Sequence, residues 1–237
     1  MLKKVVHLDL DNTLIYSKNK KQFEDGVCVE RLNGEMYGYM TNYSAKALAR
    51  LYKNDEFEIV PITTRTVEQY KRLHLLDFKY VLVENGAVLL VDGESDKDWY
   101  ETSRRLVEKS QSSLSAVKTF LNYYSSEILN IHSVDDFFIY AKIKEDKEDL
   151  IKNIPEFFDL IYTKNITKWY FIPKAITKLE AIKRFRSIMS RDITISAGDN
   201  PNLDWCMCED SDIFIKPTEG TIYSDEIFRY IEKEFVL

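Results

Sequence analysis

Three short stretches of this sequence place carboxylates and hydroxyls at spacings suited to phosphate chemistry. They are Asp9, Asp11 and Thr13; Thr63, Thr64 and Arg65; and Gly198, Asp199, Asn200 and Asp204. A carboxylate can attack phosphorus and form an aspartyl-phosphate, which splits one difficult hydrolysis into two easier displacements. An anionic nucleophile beside an anionic substrate needs positive charge between them. Mg²⁺ supplies it, taking oxygen from one or two carboxylates while keeping waters and substrate phosphate in its shell. Asp9 and Asp199 offer those carboxylates, and Asp11, two residues on from Asp9, can lean toward the same pocket and reach the leaving oxygen. Two neighbouring carboxylates can also be driven to different protonation states, as a nucleophile and a general acid require. A lone Asp-x-Asp is a weak signal that two surface acids in a turn explain equally well. The three clusters gain weight from where they fall.

Each one follows an expected strand. Val5-Val6-His7-Leu8 is a short apolar run ending in acids, the mark of a strand buried on both faces. Phe57 to Ile62 ends at Thr63, and Ile193 to Ala197 ends at Gly198. In open α/β sheets ligands bind beyond the carboxyl ends of the strands. Helices are expected from Ser44 to Tyr52, from Thr66 with Tyr70, Leu73 and Leu76 facing inward, from Thr177 to about Met189, after Asn200-Pro201, and from Ser224 to the end of the chain. With Tyr80–Val83 as a further strand, this alternation predicts an α/β fold: a Rossmann-like parallel sheet core with helices on both faces. Within Cys28–Thr41, Asn33-Gly34 supplies the turn of a hairpin.

The rhythm breaks after Glu84-Asn85-Gly86. A strand over Ala87–Val91, a long helix from about Ser103 to Tyr124, a strand over Phe137–Ile143, a helix over Asp149–Leu160 and a strand pair over Tyr162–Ile172 read as an inserted α+β domain. Residues 86–172 are thus expected to interrupt a core built from 1–85 and 173–237.

Phosphoryl transfer leaves charge on the equatorial oxygens, so fixed donors aimed at them do much of the work. Thr63 offers a hydroxyl and backbone amides. Thr177-Lys178-Leu179-Glu180 has capping-box spacing, which places Lys178 in a first helical turn, where its ammonium and the positive helix end act on one anion. Lys174, four residues earlier, is the competitor. Asn200 as N-cap and Pro201 at the first helical position would set Asp204 one turn in, where it can hold the metal or its waters.

These stretches resemble, in order, the four motifs of the haloacid dehalogenase (HAD) superfamily: Asp9-Leu10-Asp11-Asn12-Thr13, Thr63 at the end of the next strand, Lys178 at a helix start, and Gly198-Asp199 followed by Asp204. The resemblance implies Asp9 as nucleophile and Asp11 as the acid that protonates the leaving group and later activates water. It implies a metal site drawn from Asp9, the Asp11 backbone carbonyl, Asp199 and Asp204, with Thr63, Thr64 and Lys178 on the phosphate. The insert lies between the second and third motifs, where the superfamily's type-two cap sits, and Val83–Ala87 and Ile172–Lys178 are similar to the Cof-type, sugar-phosphatase-like branch. That implies a Mg²⁺-dependent phosphatase for a small phosphate ester, a sugar phosphate by preference, with the cap as a lid whose Arg104, Arg105, Lys142 and Lys168 hold the distal end of the substrate. A phosphomutase and a catalytically silent phosphate-binding module are the alternatives. A mutase needs a bisphosphate activator, and a silent module has no use for both Asp9 and Asp11. Asn12 and Thr64 stand where relatives often have Gly; Asn tolerates the unusual backbone angles.

The remaining features are restrictive. A net charge of −6 without a basic block gives no ground for a nucleic-acid or anionic-membrane partner. No apolar stretch approaches the ~20 residues that span a bilayer, and the N-terminal run meets Asp9 before a signal-peptide apolar region is complete. Cys28, Cys206 and Cys208 form neither a disulfide framework nor a zinc set, so a cytoplasmic protein is expected. His7 reads as a packed strand residue, His74 as part of a solvated helix face, Cys206 to Cys208 as inward helix turns, and Tyr123, Tyr124, Phe137, Phe138, Trp169 and Tyr170 as core of the insert.

Overall fold

The computed structural model describes residues 3–20, 23–144, 154, 157–165 and 168–235. The central strand β1 (Lys4–Leu8) is buried along its whole length. It pairs in parallel with β5 (Phe57–Pro61) on one side and β13 (Ile193–Ala197) on the other, and β14 (Ile213–Ile215) extends the sheet beyond β13. Leu8 is level with both Pro61 and Ala197, so Asp9, Ile62 and Gly198 emerge together at one edge.

Side chains alternate across a strand, and β1 shows what lies on each face. His7 meets Phe185 of helix α5 (Lys178–Phe185) edge to face, with ring centroids 5.8 Å apart. Lys4 points the other way, its ammonium 5.0 Å from the Phe57 ring and 5.3 Å from that of Phe235 in helix α6 (Tyr223–Phe235). The sheet therefore carries helices on both faces. Helix α1 (Asn42–Tyr52), capped by the Thr41 hydroxyl accepting from the Ser44 amide at 2.9 Å, packs beside α6.

Strand β2 (Tyr16–Ser17) joins a hairpin of β3 (Gly26–Leu32) and β4 (Glu35–Thr41), which turns at Asn33 and Gly34 with φ of +53° and +85°. The capping box at Thr66 and Gln69 forms, but helix α2 (Val67–Lys71) is shorter than its apolar spacing suggests. Beyond it the chain pairs with the hairpin, the His74 amide donating to the Val29 carbonyl at 2.7 Å and Leu73 bridging Glu30, so Leu73 and His74 are not on a helix.

Strand β6 (Tyr80–Val83) attaches to the sheet edge through Leu82, whose carbonyl accepts from the Thr63 amide at 2.9 Å. It continues antiparallel into β7 (Val88–Val91) and β8 (Glu94–Ser95). The reversal uses three successive left-handed residues, Glu84, Asn85 and Gly86, with φ of +54°, +60° and +87°. A Cβ at Gly86 would lie 2.2 Å from that of Ala181 in α5, so the turn presses backbone against helix where no side chain fits.

The chain divides into one compact unit of Met1–Asp96 with Lys178–Leu237 and another of Lys97–Thr177. These limits fall later than the expected 86 and 172: at the first, β7 pairs with β6 and so belongs to the first unit, and at the second, β12 runs on to Pro173, which pairs with Leu160 of β11. The second unit is an antiparallel sheet ordered β11 (Leu160–Asn165), β12 (Lys168–Pro173), β10 (Phe138–Ile143), β9 (Ile128–Val134). Helices α3 (Lys97–Val107) and α4 (Gln111–Tyr123) replace the single long helix expected, with a 3-10 turn between them. Leu114, Val117 and Leu121 of α4 form a core with Ile139, Ala141, Trp169 and Phe171. Of the aromatics expected in the core, Phe137, Phe138 and Trp169 are buried, Tyr124 and Tyr170 are half-buried, and Tyr123 is 82% exposed. Of the helix expected over 149–160, residues 149–153, 155 and 156 lie outside the described residues, while 157–159 are not helical and Leu160 opens β11. Among the described residues no helix is long and apolar enough to cross a membrane.

Candidate active site

The loop after β1 folds back tightly: the amides of Leu14 and Ile15 both donate to the Leu10 carbonyl, and Asn12 adopts φ +60°, the left-handed angle that an Asn tolerates. This coil buries Thr13 and aims its hydroxyl at Asp9 Oδ2, 3.0 Å away. The Thr13 Oγ1 accepts from the Asp199 amide at 3.2 Å, so one hydroxyl ties the loops after β1 and β13 together.

Lys178 opens α5 and is buried. Its Nζ donates to Asp9 Oδ1 and to Asp204 Oδ1, each at 2.6 Å. Asp9, Asp199 and Asp204 each present an oxygen within 4.8 Å of the others. Burial, reinforced by Asp204 and Asp199, pushes the Asp9 pKa up to about 8 against the pull of Lys178. Burial and then Asp204 raise that of Asp199 to about 6. Burial works against the Lys178 charge, yet attraction to Asp204 and Asp9 holds the ammonium above its ordinary value.

Gly198 makes this convergence possible. A Cβ there would stand 2.4 Å from the Asp204 Cβ. The Gly198 amide donates to the Tyr223 hydroxyl at 2.9 Å, a support from the start of α6 that nothing in the sequence indicated. Asp204 is not on an α-helix as expected: the chain after Asn200 makes turns and then a 3-10 segment over Trp205–Asp210. The Asn200 Oδ1 accepts from the Asn202 amide at 2.9 Å and the Asn200 amide donates to Asp204 Oδ2 at 2.8 Å, so the asparagine makes a local turn around the acid. In the 3-10 segment Met207 is buried and Cys208 exposed, so the inward turns expected of Cys206 to Cys208 hold only in part.

Thr63 is buried at the end of β5. Its amide is spent on Leu82, which corrects the expectation that its own N–H serves phosphate. Its Oγ1 accepts from the Arg65 amide at 3.2 Å, which leaves the hydroxyl proton available to donate. Thr64 sits half-buried next to it. Lys174 belongs to the other unit, in the 3-10 turn Lys174–Ile176.

Asp11 stands apart from the carboxylate cluster. Arg65 holds its carboxylate at both oxygens, Nε to Oδ2 at 2.8 Å and Nη2 to Oδ1 at 2.7 Å, and Arg65 is itself bound by the buried Glu30 of β3. The sequence pointed to Arg65 only as a neighbour of Thr63, and to Glu30 not at all.

The fold, a parallel core with this acid, threonine and lysine set at its carboxyl edge, is similar to that of solved phosphatases of the HAD superfamily. Solved structures carry that likeness over the whole chain. The sucrose-phosphatase of Synechocystis sp. PCC6803, solved with sucrose and phosphate, is 13% identical, with 100% of this chain and 99% of that one covered at a TM-score of 0.63. A HAD subclass IIB sugar phosphatase is 13% identical, with 99% and 100% covered and a TM-score of 0.62. A trehalose-6-phosphate phosphatase related protein is 19% identical, with 98% of each chain covered and a TM-score of 0.54. At these identities the likeness is one of fold. No family model and no curated protein matches the sequence.

Proposed function

We propose that this chain is a phosphatase that hydrolyses a small organic phosphate monoester through an aspartyl-phosphate on Asp9, with a sugar phosphate as the favoured class. One observation carries the reading: the buried Asp9 carboxylate at the end of the central strand, held by Lys178 at 2.6 Å and Thr13 at 3.0 Å, beside two further acids. The preference for a sugar ester follows the sucrose-phosphatase and the sugar phosphatase among the solved structures of this fold.

The donor set fits a hard divalent cation. With all three carboxyl groups ionised, the one ammonium leaves two negative charges to balance, so a divalent cation there would favour the ionised Asp9 against the burial that raises its pKa, and every ligand is oxygen. Asp9 and Asp199 would hold Mg²⁺, with Asp204 behind them and the Asp11 backbone carbonyl as the further ligand. When bound, Mg²⁺ would supply positive charge between nucleophile and phosphate. The protein's own residues do the rest. An Asp9 oxygen forms the bond to phosphorus as the ester oxygen departs, and that oxygen takes its proton from Asp11. Asp11 then removes a proton from water, whose oxygen bonds to phosphorus as the Asp9 bond breaks, restoring the carboxylate. Lys178 and the Thr63 hydroxyl, with Thr64 beside it, donate to the phosphoryl oxygens as charge builds on them.

The test is phosphate release from a panel of sugar and nucleotide monophosphates, with and without Mg²⁺, by the wild type and Asp9→Asn. Release that requires both Mg²⁺ and Asp9 supports the reading. No release from any ester, or undiminished turnover by Asp9→Asn, overturns it.

A further inference from the structure

We propose that Glu30, on the β3–β4 hairpin, is a positioning residue that sets the orientation of Asp11 through Arg65; this rests on the reading above, in which Asp11 moves the proton. The Arg65 guanidinium uses one edge, Nε and Nη2, on Asp11 at 2.8 and 2.7 Å, and another, Nη1 and Nη2, on Glu30 at 2.9 and 2.9 Å. Four of the five N–H groups of a guanidinium are thereby committed in a plane. The two ends of this chain of charges differ in surroundings. The Asp11 side chain is 49% exposed, whereas that of Glu30 is 1% exposed. An acid on a loop has no fixed direction of its own, so the buried end supplies the reference.

The hairpin is shaped around Glu30. The pairing of β3 with β4 shifts register on both sides of it, between Cys28 and Glu30 and again between Glu30 and Arg31. Such irregularities re-aim a side chain and are common beside active sites. Opposite Glu30 stands Gly38, where a Cβ would lie 2.9 Å from the Glu30 Cβ and 3.1 Å from its Oε2. Any larger residue there would displace the carboxylate. The strand is held from its other side by the bridge of Glu30 to Leu73 and the bond from the His74 amide to Val29. Arg72 adds a second guanidinium to Glu30 at 3.3 Å, so the buried acid is compensated.

The full-length wild type, Glu30→Gln, Arg65→Lys and Asp11→Asn are assayed with Mg²⁺ on aryl and alkyl phosphates that differ only in leaving-group basicity. A misaligned general acid penalises poor leaving groups and spares good ones. Glu30→Gln is expected to lower kcat on alkyl phosphates by about tenfold to a hundredfold, a part of the ~10²–10⁴ that a general acid contributes, with little change on p-nitrophenyl phosphate and KM nearly constant. Arg65→Lys follows it, because an ammonium cannot make two forks. A loss by one common factor on every ester would mean that Glu30 only ties the hairpin down, and overturns the proposal while the phosphatase reading stands. A readout independent of turnover separates the two further: the Arg65 Nε–H resonance in ¹⁵N NMR, sharp in the wild type, should broaden through solvent exchange in Glu30→Gln. A resonance unchanged in that variant overturns the proposal even if no ester is hydrolysed.

Discussion

His7→Leu should remove much of the acid sensitivity of this fold. The ring lies in the middle of the central strand, fully buried against Phe185, and among the described residues neither of its nitrogens has a hydrogen-bond partner. Burial, and secondarily the charge of Arg191, depresses its pKa to about 3. The unfolded chain binds a proton near the ordinary value of about 6.5, whereas the folded chain refuses it until about 3. Stability from this residue is therefore complete above the higher value and is lost as pH falls toward the lower one, by about 1.4 kcal/mol per pH unit. Between about pH 7.5 and about pH 4.5 the wild type should lose about 2.7 kcal/mol on this account. The His7→Leu protein loses none of that share, and at neutral pH it gains about 1–3 kcal/mol from no longer burying unpaired nitrogens. Urea unfolding of both proteins across that range measures the difference. Asp9 and the other acids titrate in both, so subtraction cancels them. A gap between the two proteins that stays constant with pH would refute the reasoning, since it would mean that the buried ring does not exclude its proton.

Two further perturbations address the elements that hold the site. Gly86→Ala should cost about 2–5 kcal/mol in urea unfolding, combining about 1–2 for a side chain at positive φ with about 1–3 for overpacking. Gly34→Ala, at φ +85° with open space around it, should cost only the first part, and equal losses would remove the clash with Ala181 from the account. Millimolar Mg²⁺ should raise the thermal midpoint of the wild type, by the equivalent of about 2.7 kcal/mol at a hundred times its dissociation constant. Asp199→Asn should abolish that shift, and a shift that survives places the cation elsewhere.

What could be read in the sequence was what depends on neighbours in the chain. Asp9, Thr63 and Asp199 were legible because a parallel sheet brings the residues after its strands to one edge, whatever the register. Lys178 was legible over Lys174 because helix-start spacing is local, and the structure places its ammonium on Asp9. Asn12 was legible because its φ is a property of one residue. The apolar run Val88–Val91 was recognisable as a strand, but its hydrophobicity says nothing about which sheet it joins, and it pairs with β6 inside the unit of Met1–Asp96 rather than with the strands that follow it. Helix α2 was overextended because Leu73 has helical spacing yet is drawn off by the hairpin.

The same contrast divides the two acids of the first motif. They stand two positions apart, and that spacing was enough to nominate both. Their settings differ in a way spacing does not encode. Asp9 is fixed by Thr13, on its own loop, and by Lys178, both of which type and spacing had already nominated. Asp11 is fixed from the side by Arg65, 54 positions on, and Arg65 in turn by Glu30, 35 positions back. Glu30 reaches it only because β3 slips register opposite a glycine. A bulge depends on the partner strand, so no local pattern around Glu30 distinguishes it from an ordinary acid on a hairpin. Residues of a candidate site can be nominated from type and spacing, whereas those that fix their side chains are defined by pairings that exist only once the sheet and its hairpin have formed.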